Sequence, residues 1–113
     1  GHVLVVPRHV YEKWTDAPAS VVAHLVEVAH TIGAVQEKTF DVPRSGLVIA
    51  GFEVPHTHLH VIPLRSEADV LLSNAAPASD EALDETMGKL REGLRAAGYG
   101  ANVPLEMSSP ALA

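Results

Sequence analysis

The sequence predicts a single domain that mixes helices with antiparallel strands, and three patterns carry that reading. Residues 2–7 and 46–51 are short aliphatic runs closed by proline or glycine, as buried strands are. A third strand-like run, 56–63, follows after only four residues, the separation expected of antiparallel neighbours joined by a tight turn. Stretches 18–38 and 80–95 place their apolar residues at helical spacing. At 113 residues the chain can bury one core, and with 47% hydrophobic but only 4% aromatic residues that core is expected to be aliphatic.

Each element can be justified in order. The run HVLVVP at 2–7 is a buried strand, and residues 8–14 leave it as a polar connection in which Trp14 reads as a lid over core or interface surface. Thr15 or Asp16 can cap the first helix, with Pro18 in its first turn, where a missing N–H does no harm. Val21, Val22, Leu25, Val28, Ala29, Ile32 and Val35 then form one face, up to about Lys38. His24 and His30 are six residues apart and share no face as an i, i+4 metal pair would, so solvated or capping roles are expected. Residues 40–45 form a loop before the strand at 46–51. After Pro63 come a short apolar patch at 70–72 and a linker-like stretch at 73–78. Ser79 suits the N-cap of the second helix, Asp80 and Glu81 its positive end, and Lys89, Arg91 and Arg95 its negative end. Leu83, Met87, Leu90 and Leu94 form its apolar stripe, core or interface, and Gly98 stops it. The Ala-, Pro-, Ser- and Gly-rich stretch 100–113 reads as a flexible tail, leaving 1–99 as the domain.

Composition narrows the function classes. Without cysteine there are no disulfides, thiolate nucleophiles or iron–sulfur clusters, and a cytoplasmic location is expected. A net charge of −6 argues against broad nucleic-acid or anionic-membrane binding, though a small anionic ligand remains compatible with a locally positive site. No apolar run reaches the roughly 20 residues that span a bilayer. The sequence opens without methionine in what reads as mid-strand, so it is expected to be part of a longer gene product.

The chemistry concentrates in Pro55-His56-Thr57-His58-Leu59-His60-Val61-Ile62-Pro63. Residues two apart in a strand lie on one face, roughly 6 to 7 Å apart, so His56, His58 and His60 are expected to form one imidazole row with Leu59 and Val61 turned into the core. Packing alone explains such a row poorly, because each unsatisfied buried polar group costs roughly 1 to 3 kcal/mol. Two sharper readings follow: a metal site of neutral imidazoles, or a nucleophilic histidine supported by its neighbours. Against the metal, no Asp or Glu adjoins the row on the same strand face.

The run His56-Thr57-His58-Leu59-His60-Val61-Ile62 resembles the signature of the histidine triad (HIT) family, His-φ-His-φ-His-φ-φ with φ hydrophobic. Residues 1–10 resemble that family's upstream strand, which also brings a histidine to the site, here His2. The resemblance covers about 1–64 and points to the Hint-like nucleotide-hydrolase branch. It implies an α+β fold with two helices and an antiparallel sheet of about five strands, the first of them upstream of Gly1 together with the segment that holds the nucleobase. It further implies a homodimer, no cofactor, and hydrolysis at the α-phosphate of a small nucleotide, an AMP or GMP derivative such as a purine nucleoside phosphoramidate or a dinucleotide polyphosphate. By position His58 resembles the nucleophile that forms a nucleotidyl-histidine, His60 and His2 the groups that bind phosphate oxygens, and His56 the residue that orients the row. Relatives that transfer nucleotides carry glutamine at the last triad position, so His60 favours hydrolysis.

Two departures bear on this. Thr57 fills a hydrophobic position. The approach to the triad is the short stretch 51–55, in which Glu53 takes the place of a hydroxyl residue that helps the leaving group depart. A carboxylate there could act as general acid if burial raised its pKa, could repel phosphate, or could be a solvated turn residue. An inactive nucleotide-binding scaffold and a His-rich metal-binding protein are the alternatives to the hydrolase.

Overall fold

The computed structural model describes residues 1–71 and 78–105. Strand β1 (Val3–Val5), helix α1 (Ala19–Thr39), strands β2 (Arg44–Val48) and β3 (Leu59–Leu64) and helix α2 (Asp80–Leu94) follow one another along the chain. The strands form a three-stranded sheet in the order β1-β3-β2, antiparallel at both junctions, with Leu4 opposite His60 in one and Val48 opposite His60 in the other. His60 therefore sits on the central strand. The expected sheet of about five strands is represented by these three, and with the two helices they make the α+β arrangement that the sequence predicts.

Helix α1 lies on one face of the sheet. Its Leu25 and Ala29 pack with Val5, Leu59 and Val61, an aliphatic core as the composition led us to expect. Burying one such side chain contributes roughly 1.5 to 3 kcal/mol, so this cluster is a main source of stability. Two buried positions on α1 fall outside the expected stripe, Gly33 and Gln36. A Cβ at Gly33 would stand 3.0 Å from the Ser45 hydroxyl, so the small residue lets α1 approach β2. The helix starts one turn later than the expected caps: Thr15 and Asp16 lie in a 3₁₀ turn, Trp14–Asp16, and Pro18 occupies the N-cap without a side-chain bond. Pro18 limits the preceding residue to extended backbone, which separates that turn from the helix. Beyond the helix, Asp41 turns the chain with φ of 49°.

The join between β2 and β3 differs from the tight turn that the sequence suggests. Pairing ends at Val48 opposite His60, so residues 49–58 form a loop. Gly51 takes φ of 78° there, and Pro55 has no N–H to give a ladder.

Helix α2 begins where expected, with the Ser79 hydroxyl accepting from the Ala82 N–H at 3.2 Å. It crosses α1 at Gly93, where a Cβ would meet both Thr39 and Val35 at 2.7 Å. Of its apolar stripe Leu90 is buried, whereas Leu83 and Met87 are about half exposed. Gly98, with φ of 97°, ends the helical run. The stretch expected to be a tail begins with a 3₁₀ turn, Gly100–Asn102, and a buried Val103, and the Arg91 guanidinium donates to the Pro104 carbonyl. The rest of that stretch, 106–113, and most of the linker at 73–78 lie outside the described residues.

Candidate active site

The histidine segment is extended but only its second half belongs to the sheet. Leu59 and Val61 join the core under α1 as the sequence suggests, with Thr57 buried before them, although His60 and Ile62 are buried too. The ladder begins at Leu59, however, leaving His56 and His58 in the loop and His60 in β3. The loop half is tied to residues 7–11 instead: the Thr57 N–H and hydroxyl both donate to the Tyr11 carbonyl, at 2.7 and 2.9 Å, and His56 Nε2 lies 3.1 Å from the Pro7 carbonyl. Thr57, a departure from the hydrophobic pattern, is thus a buried hydroxyl with a partner, and the residue type follows from that bond.

The imidazoles do not form the expected row of His56, His58 and His60. The cluster is His58, His60 and His2: the His58 and His60 rings are 4.8 Å apart and edge-on, and those of His2 and His60 are 5.0 Å apart. His2 precedes β1 and sits diagonally across from His60, which faces Leu4, within reach for long side chains. His56 turns away to Pro7, and its Nδ1 is buried without a hydrogen-bond partner among the described residues.

Hydrogen bonds fix how the rings carry their hydrogens. His58 Nδ1 is 2.7 Å from the His56 carbonyl, which can only accept, so Nδ1 carries the hydrogen and Nε2 of a neutral ring keeps its lone pair. His2 Nε2 and His60 Nδ1 are 2.9 Å apart and share one hydrogen. Burial holds both of these rings below the ordinary histidine pKa of 6.5, and for His60 the neighbouring His2 and His58 rings lower it further. The pair is therefore neutral at pH 7. Such a cluster offers a nucleophilic nitrogen beside a ring that can donate from its remaining nitrogen.

Glu53 is exposed on the loop, beside a Phe52 that is 97% exposed. His24 and His30 are exposed on α1. Sequence reasoning missed Gln36, which is fully buried and bonded to β2, to β3 and to the segment before β1: to the Ser45 hydroxyl and to the Val61 and Gly1 carbonyls. Its polarity inside an aliphatic helix face was the available signal. Among the described residues no helix is long and apolar enough to cross a membrane.

Several known proteins are similar to this chain. An uncharacterised HIT-like protein of Methanocaldococcus jannaschii is 32% identical over 96 residues, covering 80% of this chain and 73% of its own. An adenosine 5′-monophosphoramidase of Saccharomyces cerevisiae is 32% identical over 97 residues, covering 85% of this chain and 60% of its own. An asymmetrical bis(5′-nucleosyl)-tetraphosphatase of Schizosaccharomyces pombe is 36% identical over 74 residues, 61% of this chain and 40% of its own. This chain thus spans between two fifths and three quarters of the length of those relatives. The fold is similar to the crystal structure of a HIT-like protein involved in cell-cycle regulation from Bartonella henselae, with a TM-score of 0.68 at 23% identity over 82% of this chain and 71% of that one. Residues 1–67, which hold β1, α1, β2, β3 and all four site histidines, match the HIT domain, and the chain belongs to the HIT family.

Proposed function

We propose that the protein hydrolyses small nucleotides at the α-phosphate, with His58 as nucleophile. The observation that carries this reading is the 2.7 Å bond from His58 Nδ1 to the His56 carbonyl, which reserves the Nε2 lone pair for attack. Nε2 attacks phosphorus, the bond to the leaving group breaks, and the leaving group departs with a proton taken from solvent. Water then cleaves the nucleotidyl-histidine, returning the ring to its neutral form and releasing the nucleoside monophosphate. His60 serves the charge that spreads over the non-bridging oxygens. With its Nδ1 accepting from His2 Nε2–H, the other nitrogen of His60 carries a hydrogen to donate to phosphate. His2 then acts through His60, a more indirect role than the sequence suggested. The named activities of the yeast relatives, on a phosphoramidate and on a dinucleotide polyphosphate, support these two substrate classes. We further propose a homodimer, for which the edge of β2 that is unpaired among the described residues, and the exposed Val26 and Leu47 beside it, offer a surface. Sedimentation showing a monomer at micromolar concentration would count against it.

A nucleotide-binding scaffold without turnover is the second reading, favoured by the exposed carboxylate of Glu53 on the approach loop. One experiment separates the readings: intact-mass spectrometry after brief exposure to adenosine phosphoramidate, with wild type and His58→Asn, each with and without chelator. Release of AMP, or a transient gain of one nucleotide, lost in the variant and indifferent to chelator, is expected. Thermal protection by nucleotide with neither adduct nor AMP would select the scaffold, and sensitivity to chelator would select a metal site.

A further inference from the structure

We infer that Gln36 is a positioning residue for the His2–His60 pair; only its effect on turnover rests on the function proposed above. Its side-chain nitrogen is 2.7 Å from the Gly1 carbonyl and 2.9 Å from the Val61 carbonyl, and its oxygen accepts from the Ser45 hydroxyl at 2.8 Å. The assignment of the amide ends follows from chemistry, because two carbonyls can be satisfied only by the NH₂ end, and both of its hydrogens are then used. Gly1 is the residue before His2, and Val61 is the residue after His60. Val3 opposite Val61 is the last pair of the β1–β3 ladder on that side, so past that point the Gln36 amide takes over from strand pairing and holds Gly1 to β3. The two clamped carbonyls thus flank the two rings that share a hydrogen across 2.9 Å.

Burial makes the clamp exacting. Gln36 is 0% exposed and its bond to the Val61 carbonyl is buried, so that carbonyl gains no bulk water if this donor is lost. An apolar side chain of the same shape would fill the space yet remove both donors, and Gly1 would lose this tie to β3 beside His2. His60 Nδ1 would then lose its fixed partner and the pair its single arrangement of hydrogens. No residue of α1 other than Gln36 makes a side-chain hydrogen bond to β1, β2 or β3 or to Gly1 among the described residues, which gives this one amide the task.

The test compares wild type, Gln36→Met, Gln36→Glu and Leu90→Ala in the full-length protein, by histidine ring ¹H–¹⁵N spectra without nucleotide and by adenosine phosphoramidate kinetics. Wild type is expected to show His2 and His60 locked in complementary tautomers. Gln36→Met should mix the tautomers of those two rings while His58 keeps its hydrogen on Nδ1. Its kcat should fall about 10- to 100-fold, less than for outright removal of an aimed donor, with KM moving less than about threefold. Gln36→Glu, its buried carboxyl held protonated by desolvation, offers one donor in place of two and should show a smaller loss in the same direction. Leu90→Ala loosens the contact of α2 with α1 and should leave the tautomers unchanged. Complementary tautomers and wild-type kcat in either folded Gln36 variant would overturn the inference, as would mixing in Leu90→Ala or failure of both Gln36 variants to fold. If wild type releases no AMP, the catalytic reading fails and the ring spectra alone decide the role of Gln36.

Discussion

The two halves of this molecule hold their shape by different means. In residues 1–67 buried polar groups fix particular atoms to particular partners: Gln36 clamps Gly1, Val61 and Ser45, Thr57 holds the Tyr11 carbonyl, and His58 holds that of His56. In residues 80–105 helix α2 rests against α1 through Leu90 and a close approach at Gly93, and Leu83 and Met87 stay half in solvent. Apolar contact tolerates small shifts, whereas a buried hydrogen bond does not, because a displaced partner leaves a bare polar group. In the half that carries the histidines, buried directional bonds are added to the aliphatic core. Precision there is what a reacting ring needs, since small misplacements of a catalytic group have large effects on rate.

That contrast can be broken in graded steps. The largest change in stability is expected from Leu59→Ala, which empties a fully buried site between α1 and the sheet; it should lower unfolding free energy by about 2 to 5 kcal/mol in urea titrations. A loss within half a kcal/mol of zero would mean that the core can collapse around the gap and that the first half is less rigidly built than we describe.

Gly93→Leu is expected to destabilise by about 1 to 2 kcal/mol, because Val35 and Thr39 are stiff β-branched neighbours that cannot rotate away. On the same helix Gly88 has no atom within 4 Å of an added Cβ, so Gly88→Ala should gain up to about 1 kcal/mol from helix propensity alone. Melting the two variants side by side checks the opposed signs, and equal signs would show that α2 does not meet α1 at Gly93.

Acid should act on the first half. The pKa values of His2 and His60 are lowered on folding, so above 6.5 both states are neutral and stability is full. As pH falls below 6.5 the unfolded chain takes up protons first, and stability declines until the folded pair also protonates. Denaturation between pH 8 and 5 should show this decline, and a His2→Asn, His60→Asn double variant should flatten it. An unchanged slope would place the acid sensitivity elsewhere. The smallest expected effect is that of Met87→Ala, within about 0.5 kcal/mol, because a half-exposed side chain gives up little.

The sequence by itself determined much of this protein. Periodicity marked β1, both helices and the inward set Leu59 and Val61, because burial selects residue type at fixed spacing. Ser79 marked the start of α2 and Gly98 the break in the helical run that continues from it, because caps and breaks need particular side chains or backbone angles. The triad with its upstream histidine marked the family and named four rings.

Only the tertiary structure decided how those rings meet. Spacing along one strand put His56 with His58 and His60, but the loop at 49–58 lets His56 bond to Pro7, and a strand distant in sequence brings His2 into its place. Gln36 escaped a pattern search for the same reason, since its partners Gly1, Ser45 and Val61 lie 35, 9 and 25 residues away. Local patterns record which side of an element is buried. Directional bonds between distant residues leave no period, and they appear only when the chain is folded.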